Sequence, residues 1–229
     1  LSNTTPRSSL QNILLPGATV NRVCGGGYRG IVYGTDVYIK GGTVNHVYAG
    51  GDGANAHVQG NTKLVIKGAG TNNPIIESHI YGGGNLSNVY GNVDVTISNA
   101  TVTYRNNQAV YGGGNKGDIS GDVTIKIEDT TINNAVFGGG NQGNVKGNVT
   151  LNMSSGSASA MFGGANAADI GGNVTMNLTG GTINKNGNVI TGVDAGDIYG
   201  GNNQSGSIKG SITINASGIR DVNWMMGGG

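Results

Sequence analysis

The sequence has one cysteine, three prolines and two phenylalanines among 229 residues, and 11% of it is charged. A single cysteine, Cys24, excludes an internal disulfide framework and a cysteine-rich zinc site. No apolar run approaches the roughly 20 residues of a membrane-spanning helix, so no span is expected in this chain. Thirteen basic residues stand against twelve acidic ones. They form no run, which argues against the clustered Lys and Arg of a nucleic-acid surface. The opening LSNTTPRSSL has no signal-peptide pattern and reads as the start of a mature or trimmed piece. No stretch of useful length carries the 3.6-residue period of an amphipathic helix.

What the chain has is glycine, 46 residues of it. Such a share suits a low-complexity polymer. Here, however, 36% of the residues are apolar, and their regular spacing argues against disorder. The glycines recur after one position: Cys24, Tyr48, Tyr81, Tyr111, Phe137, Phe162, Tyr199 and Met226. The steps are about 25 residues with some insertions, a length that suits one coil of a β-solenoid.

Each unit keeps one internal order. An apolar-aromatic pair precedes the glycines, as in Val110-Tyr111 and Val136-Phe137. A polar residue follows them: Asp52, Asn85, Asn115, Asn141, Asn166 and Asn203. Then comes a short apolar point, Val58, Val89, Ile119, Val145, Ile170 or Ile208. A Gly-Asn or Gly-Asp turn leads into the longest strand, with alternating Val123/Ile125/Ile127, Val149/Leu151/Met153 and Val174/Met176/Leu178. A second turn leads to a Thr-Val or Thr-Ile pair, as at Thr43-Val44 and Thr131-Ile132.

Period two buries one face of a strand and solvates the other. A unit of a few short strands cannot close a core alone, so the coils must stack. The expected fold is all-β: a right-handed parallel β-helix of about seven to eight coils, with rungs about 4.8 Å apart. Residues 23–229 hold the repeats, and residues 1–22 read as a lead-in or cap, although Ile13-Leu14-Leu15 has strand character. Glycine belongs at corners that need positive φ or a close approach to the next coil. Asn tolerates the left-handed region, and its amide can bond along a column of identical residues.

Little in the sequence points to chemistry. AGGDGANAHV (Ala49 to Val58) and GGGNKGDI (Gly112 to Ile119) have the look of the calcium-binding nonapeptide, but the period is wrong and Asn replaces most Asp. No Lys-Ser or Lys-Thr follows the glycines to make a phosphate loop. Asp94 aligns with Thr124, Thr150, Thr175 and Thr213, and Asp122 with Asn92, Asn148 and Asn173, so no paired carboxylates emerge. His46, His57 and His79 are read as sharing no register, and no metal or cofactor is expected. Cys24 takes an aromatic position and reads as packing rather than as a nucleophile. The outward Thr124, Thr150, Thr175 and Thr213 resemble an ice-binding array, but the next column mixes Val65, Thr96 and Lys126 with Asn. The chain is expected not to be an enzyme.

The insertions are more informative. Gly70 to His79, Thr103 to Ala109 and Asn184 to Asp197 are read as lying between the Thr-Val/Ile strand and the next apolar-aromatic pair. Insertions at one corner emerge on one edge of a solenoid, which is often its binding face. Glu77, Tyr104, Arg105, Asp194 and Asp197 are the candidate binding residues, with His79, Asn106, Asn107 and Lys185 beside them.

The pattern V-Y/F-G-G-G-N, then G-N-V-T-V-x-I, then G-G-T-I, running from Val23 to Gly229, resembles repeats of large bacterial surface proteins of the β-solenoid adhesin type. The resemblance implies an exported, extracellular cell-surface rod without catalysis. Its partner would be a glycan or protein on a host or neighbouring cell. A polysaccharide-binding or polysaccharide-cleaving β-helix is the alternative. The last residues, NWMMGGG, repeat the start of a coil. Further repeats or end-to-end self-association are therefore expected.

Overall fold

The computed structural model describes residues 10–103, 108–189 and 191–229. Every regular element among them is a β-strand, and every strand pairing is parallel. The coils stack into a β-solenoid of about eight turns with about 27 residues per turn. One side is an eight-stranded sheet of the long strands, including Thr35–Ile39, Thr62–Lys67, Val93–Ser98, Val123–Glu128, Val149–Met153 and Ile212–Ala216. A second sheet joins the Thr-Val/Ile strands to the apolar-aromatic strands. A column of single bridges makes the third side, from Val32 through Val58, Val89, Ile119, Val145 and Ile170 to Ile208.

The alternation read from the sequence sets the inside. Val123, Ile125, Ile127, Val149, Leu151, Met153, Val174, Met176 and Leu178 are at most 1% exposed. Between them Thr124, Thr150, Asn152, Thr175 and Asn177 are half-exposed and Lys126 is exposed. The aligned positions pair directly: Cys24 with Tyr48, Tyr48 with Tyr81, and so on through Tyr199 with Met226. Leu10–Leu14 pairs with Thr35–Ile39, and Thr19–Cys24 with Thr43–Tyr48, so residues 10–24 contribute strands to both sheets.

Three polar columns tie the coils together. In the first, Asn203, Asn166, Asn141, Asn115 and Asn85 each donate an amide N–H to the side-chain oxygen one coil earlier, at 2.8–2.9 Å. The last acceptor is Asp52 Oδ1, while Arg22 Nη1 donates to Asp52 Oδ2 at 2.7 Å. A carboxylate only accepts, so Asn85 must present its NH2, and every later amide takes the same orientation. In the second column, Asn61, Asn92, Asp122, Asn148 and Asn173 each accept the backbone N–H of the residue one coil on. The third does the same with His57, Asn88, Asp118, Asn144 and Asp169.

One expectation about corners needs correction. None of the ladder asparagines has positive φ. Among the described residues, the left-handed non-glycine ones are Asn72, Asn99, Asp129 and Asp221, at other turns. The ladder rests on the amide's hydrogen-bonding capacity, not on its backbone tolerance. Of the two reasons expected for glycine at the corners, the first glycines of the triplets follow close approach, since their φ is not positive. A Cβ on Gly112 would strike the carbonyl oxygen of Gly138, and one on Gly138 that of Gly163. They are glycine because the coils approach closely.

The insertion from Gly70 to His79 is also placed differently. Ile75–Ile76 is the strand that pairs with Thr43–Val44 and Thr101–Val102. The extra residues of that coil therefore fall at the preceding corner, after Thr62–Lys67. Ile75-Ile76 has no threonine, and that hid its equivalence to the other pairs.

Candidate functional site

Within each apolar-aromatic strand the aliphatic residue enters the main core, and the aromatic one points to the opposite face of the sheet. Tyr48, Tyr81, Tyr111, Phe137, Phe162 and Tyr199 thereby form one stack, with centroids 4.7–5.1 Å apart and planes within 13° of parallel. This spacing is set by the strand separation and falls within the favourable range for aromatic pairs. Ala109, Ala135 and Ala160, two residues before the rings, pack with them in a second apolar cluster, and Val193 of the Asn184–Asp197 insertion joins it. Cys24 packs at one end of this cluster, and burial pushes its thiol up to about 11. A thiol so held is a poor nucleophile at neutral pH.

A groove of about 400 Å³ runs beside the stack. Tyr48, Tyr81 and Tyr111 line one part of it, and Asn115, Asn141 and Asn166 another. The glycine triplets bring the two columns together, because Gly112, Gly113 and Gly114 turn the chain between Tyr111 and Asn115 without a side chain. Asn115, Asn141 and Asn166 each spend one N–H and one lone pair on their neighbours in the ladder, leaving one of each. Burial pushes the Tyr81 and Tyr111 hydroxyls far up, so they remain neutral phenols at ordinary pH.

His79 also lines the groove and lies in register with His46, their rings stacked at 6.0 Å. This corrects the reading that the histidines share no register. Both stand two residues before an aligned tyrosine, so the relation was present in the sequence. Burial first, and His46 second, lowers the pKa of His79 from 6.5 to about 4. The unfolded chain therefore binds that proton more readily. Stability linked to His79 is complete above pH 6.5 and is lost as pH falls towards 4. Thermal melts across that window should show a falling midpoint in the wild type and a flatter profile in His79→Gln.

The residues singled out by the insertions do not make one site. Tyr104 and Arg105, with Asn106 and Asn107, lie outside the described residues. Glu77 is half-buried and directly follows the strand Ile75–Ile76, its backbone N–H donating to the Val44 carbonyl at 2.8 Å. Asp194 is exposed on its insertion. Asp197 is 2% exposed, and its Oδ2 accepts the Tyr199 hydroxyl at 2.9 Å. Burial, followed by that hydrogen bond, pushes the Tyr199 phenol up to about 12. Glu77 and Asp197 belong to coils four rungs apart, or roughly 20 Å along the axis.

The groove residues were visible in the sequence as two aligned columns, but nothing there showed that the columns meet across the glycine corner. The geometry offers repeated neutral donors and acceptors on a fixed lattice. Compared with protein-family models, curated proteins and solved structures, the chain shows no match.

Proposed function

We propose that the chain is a non-catalytic, rigid stretch of an exported bacterial surface protein of the adhesin type. It acts outside the cell and presents its inserted loops and the adjoining groove to a glycan or protein on another surface. The observation that carries this reading is how the side chains capable of chemistry are used. Asp52, Asp118, Asp122 and Asp169, together with His57, are hydrogen-bonded between coils. Their polar atoms hold the stack in register, and such repeated nearest-neighbour bonding suits a stalk.

The test is to coat beads with the purified chain and apply them to surfaces bearing glycans or proteins, while assaying the solution for released sugar. Adhesion to at least one such surface is expected, with no sugar released from any of them, pectin-like and alginate-like polymers included. Release of oligosaccharides that stops on Asp194→Asn would establish a polysaccharide-cleaving β-helix in its place.

A further inference from the structure

The groove beside the ring stack has a chemistry that narrows its ligand. Among the described residues, no Asp, Glu, Lys or Arg lines it. Burial keeps the phenols of Tyr81 and Tyr111 protonated, and it keeps His79 neutral at physiological pH. Beside Tyr48, Arg22 is already paired with Asp52, so a charged polymer would surrender its hydration without finding an unpaired counter-charge among the described lining residues. The groove offers phenol hydroxyls and primary amides, groups that both donate and accept. A ligand rich in hydroxyl groups answers both functions at once.

The second constraint is the repeat. Tyr48, Tyr81 and Tyr111 follow one another at 5.0–5.1 Å. Asn115, Asn141 and Asn166 form a second line across the glycine corner, starting on the rung of Tyr111 and running on at the same spacing, locked by their own ladder. An extended peptide advances about 3.3 Å per residue, so its equivalent groups recur at roughly 6.7 Å and fall out of step with the rungs. An extended β-1,4-linked glycan advances by nearly one strand spacing per sugar ring and carries hydroxyls along both edges. Successive rings are flipped, so identical hydroxyls return on every second rung, still in step with the lattice, while a hydroxyl of one kind or another faces each rung between.

We propose that this groove binds a neutral, extended β-1,4-linked glycan laid along the solenoid axis. The inference rests on the reading of the chain as a non-catalytic adhesive rod and names the ligand class of that rod. The ring faces are covered by their neighbours in the stack, and Tyr48, Tyr81 and Tyr111 are at most 5% exposed, so recognition comes from the amides and from the small part of each tyrosine that reaches the groove rather than from sugar stacking on an aromatic face.

Calorimetric titration tests this with cellohexaose, its shorter homologues, and maltohexaose and an oligogalacturonate as controls. Cellohexaose should bind, with affinity rising through the series. The α-linked and acidic controls should bind at least tenfold more weakly, by about the worth of one or two unmatched polar groups. The informative variant carries Tyr48→Phe, Tyr81→Phe and Tyr111→Phe together. Phe137 and Phe162 already occupy the same stack, so it should fold, and circular dichroism checks that it does. It should lose about tenfold in affinity for cellohexaose.

Equal binding of all the hexamers, no binding of cellohexaose, or full affinity in the folded triple variant would overturn the proposal. Bead adhesion that persists without cellohexaose binding sinks this inference alone. Cleavage of the oligosaccharide sinks the non-catalytic reading instead.

Discussion

Ile125→Asp is expected to destroy the cooperative fold of the central coils. Ile125 is 0% exposed and lies in register between Val95 and Leu151. An aspartate there loses the buried aliphatic contacts and puts a carboxyl group into an apolar column. Its register partners on the neighbouring rungs, Val95 and Leu151, are both apolar. Large-to-small loss in a core costs about 2–5 kcal/mol, and burying the carboxyl unpaired adds a few more. Together these are comparable with the roughly 5–15 kcal/mol that holds a typical domain. The damage is not confined to one rung, because each coil is stabilised mainly by its two neighbours. Far-UV circular dichroism and urea titration should show loss of the single transition, whereas Ile125→Val should cost only about 0.5–1.5 kcal/mol. A wild-type urea midpoint in the Asp variant would refute the burial assigned to this column.

Gly138→Ala should be nearly as informative, since it adds one methyl group. Gly138 opens the triplet after Phe137. A Cβ built there meets the carbonyl oxygen of Gly163 and Cγ1 of Val149. Backbone stands on one side and a core side chain on the other, so neither can yield without moving a rung. Overpacking of this kind costs about 1–3 kcal/mol, sometimes more. Gly30→Ala is the matched control, because a Cβ at Gly30 meets nothing within 4 Å and its φ is not positive. That change should be neutral, or stabilising by about 0.4–1 kcal/mol through the unfolded state. Equal urea midpoints for the two variants would show that close approach is not why the triplet is glycine.

The fold was legible because a solenoid writes its three-dimensional neighbours into one repeating line. Once Tyr111, Phe137 and Phe162 were aligned, the pairings of Val123 with Val149 and Val174 followed at once. The amide column could be foreseen as well, since identical residues on adjacent rungs must meet. What failed was local. Ile75-Ile76 carried no threonine and was absorbed into an insertion, although its backbone bonds place it in the sheet. The candidate site was legible only in its parts. Alignment gives distances along the axis and says little about what meets around a coil. The approach of Tyr111 to Asn115 depends on the path of three glycines. The burial of Asp197 depends on its following the sheet's alternation two residues before Tyr199, although it closes an insertion that was read as a loop.

The amide ladder and the backbone bonds between coils share one direction, the long axis of the stack. Pulled along that axis, the molecule would carry the load through its rungs in series, and the weakest interface would yield first. A transverse pull would be spread over many coils side by side. The chain is thus mechanically anisotropic. A polar column such as Asn85, Asn115 and Asn141 acts as reinforcement along the weak direction, adding one bond per rung where tension would otherwise peel one coil from the next.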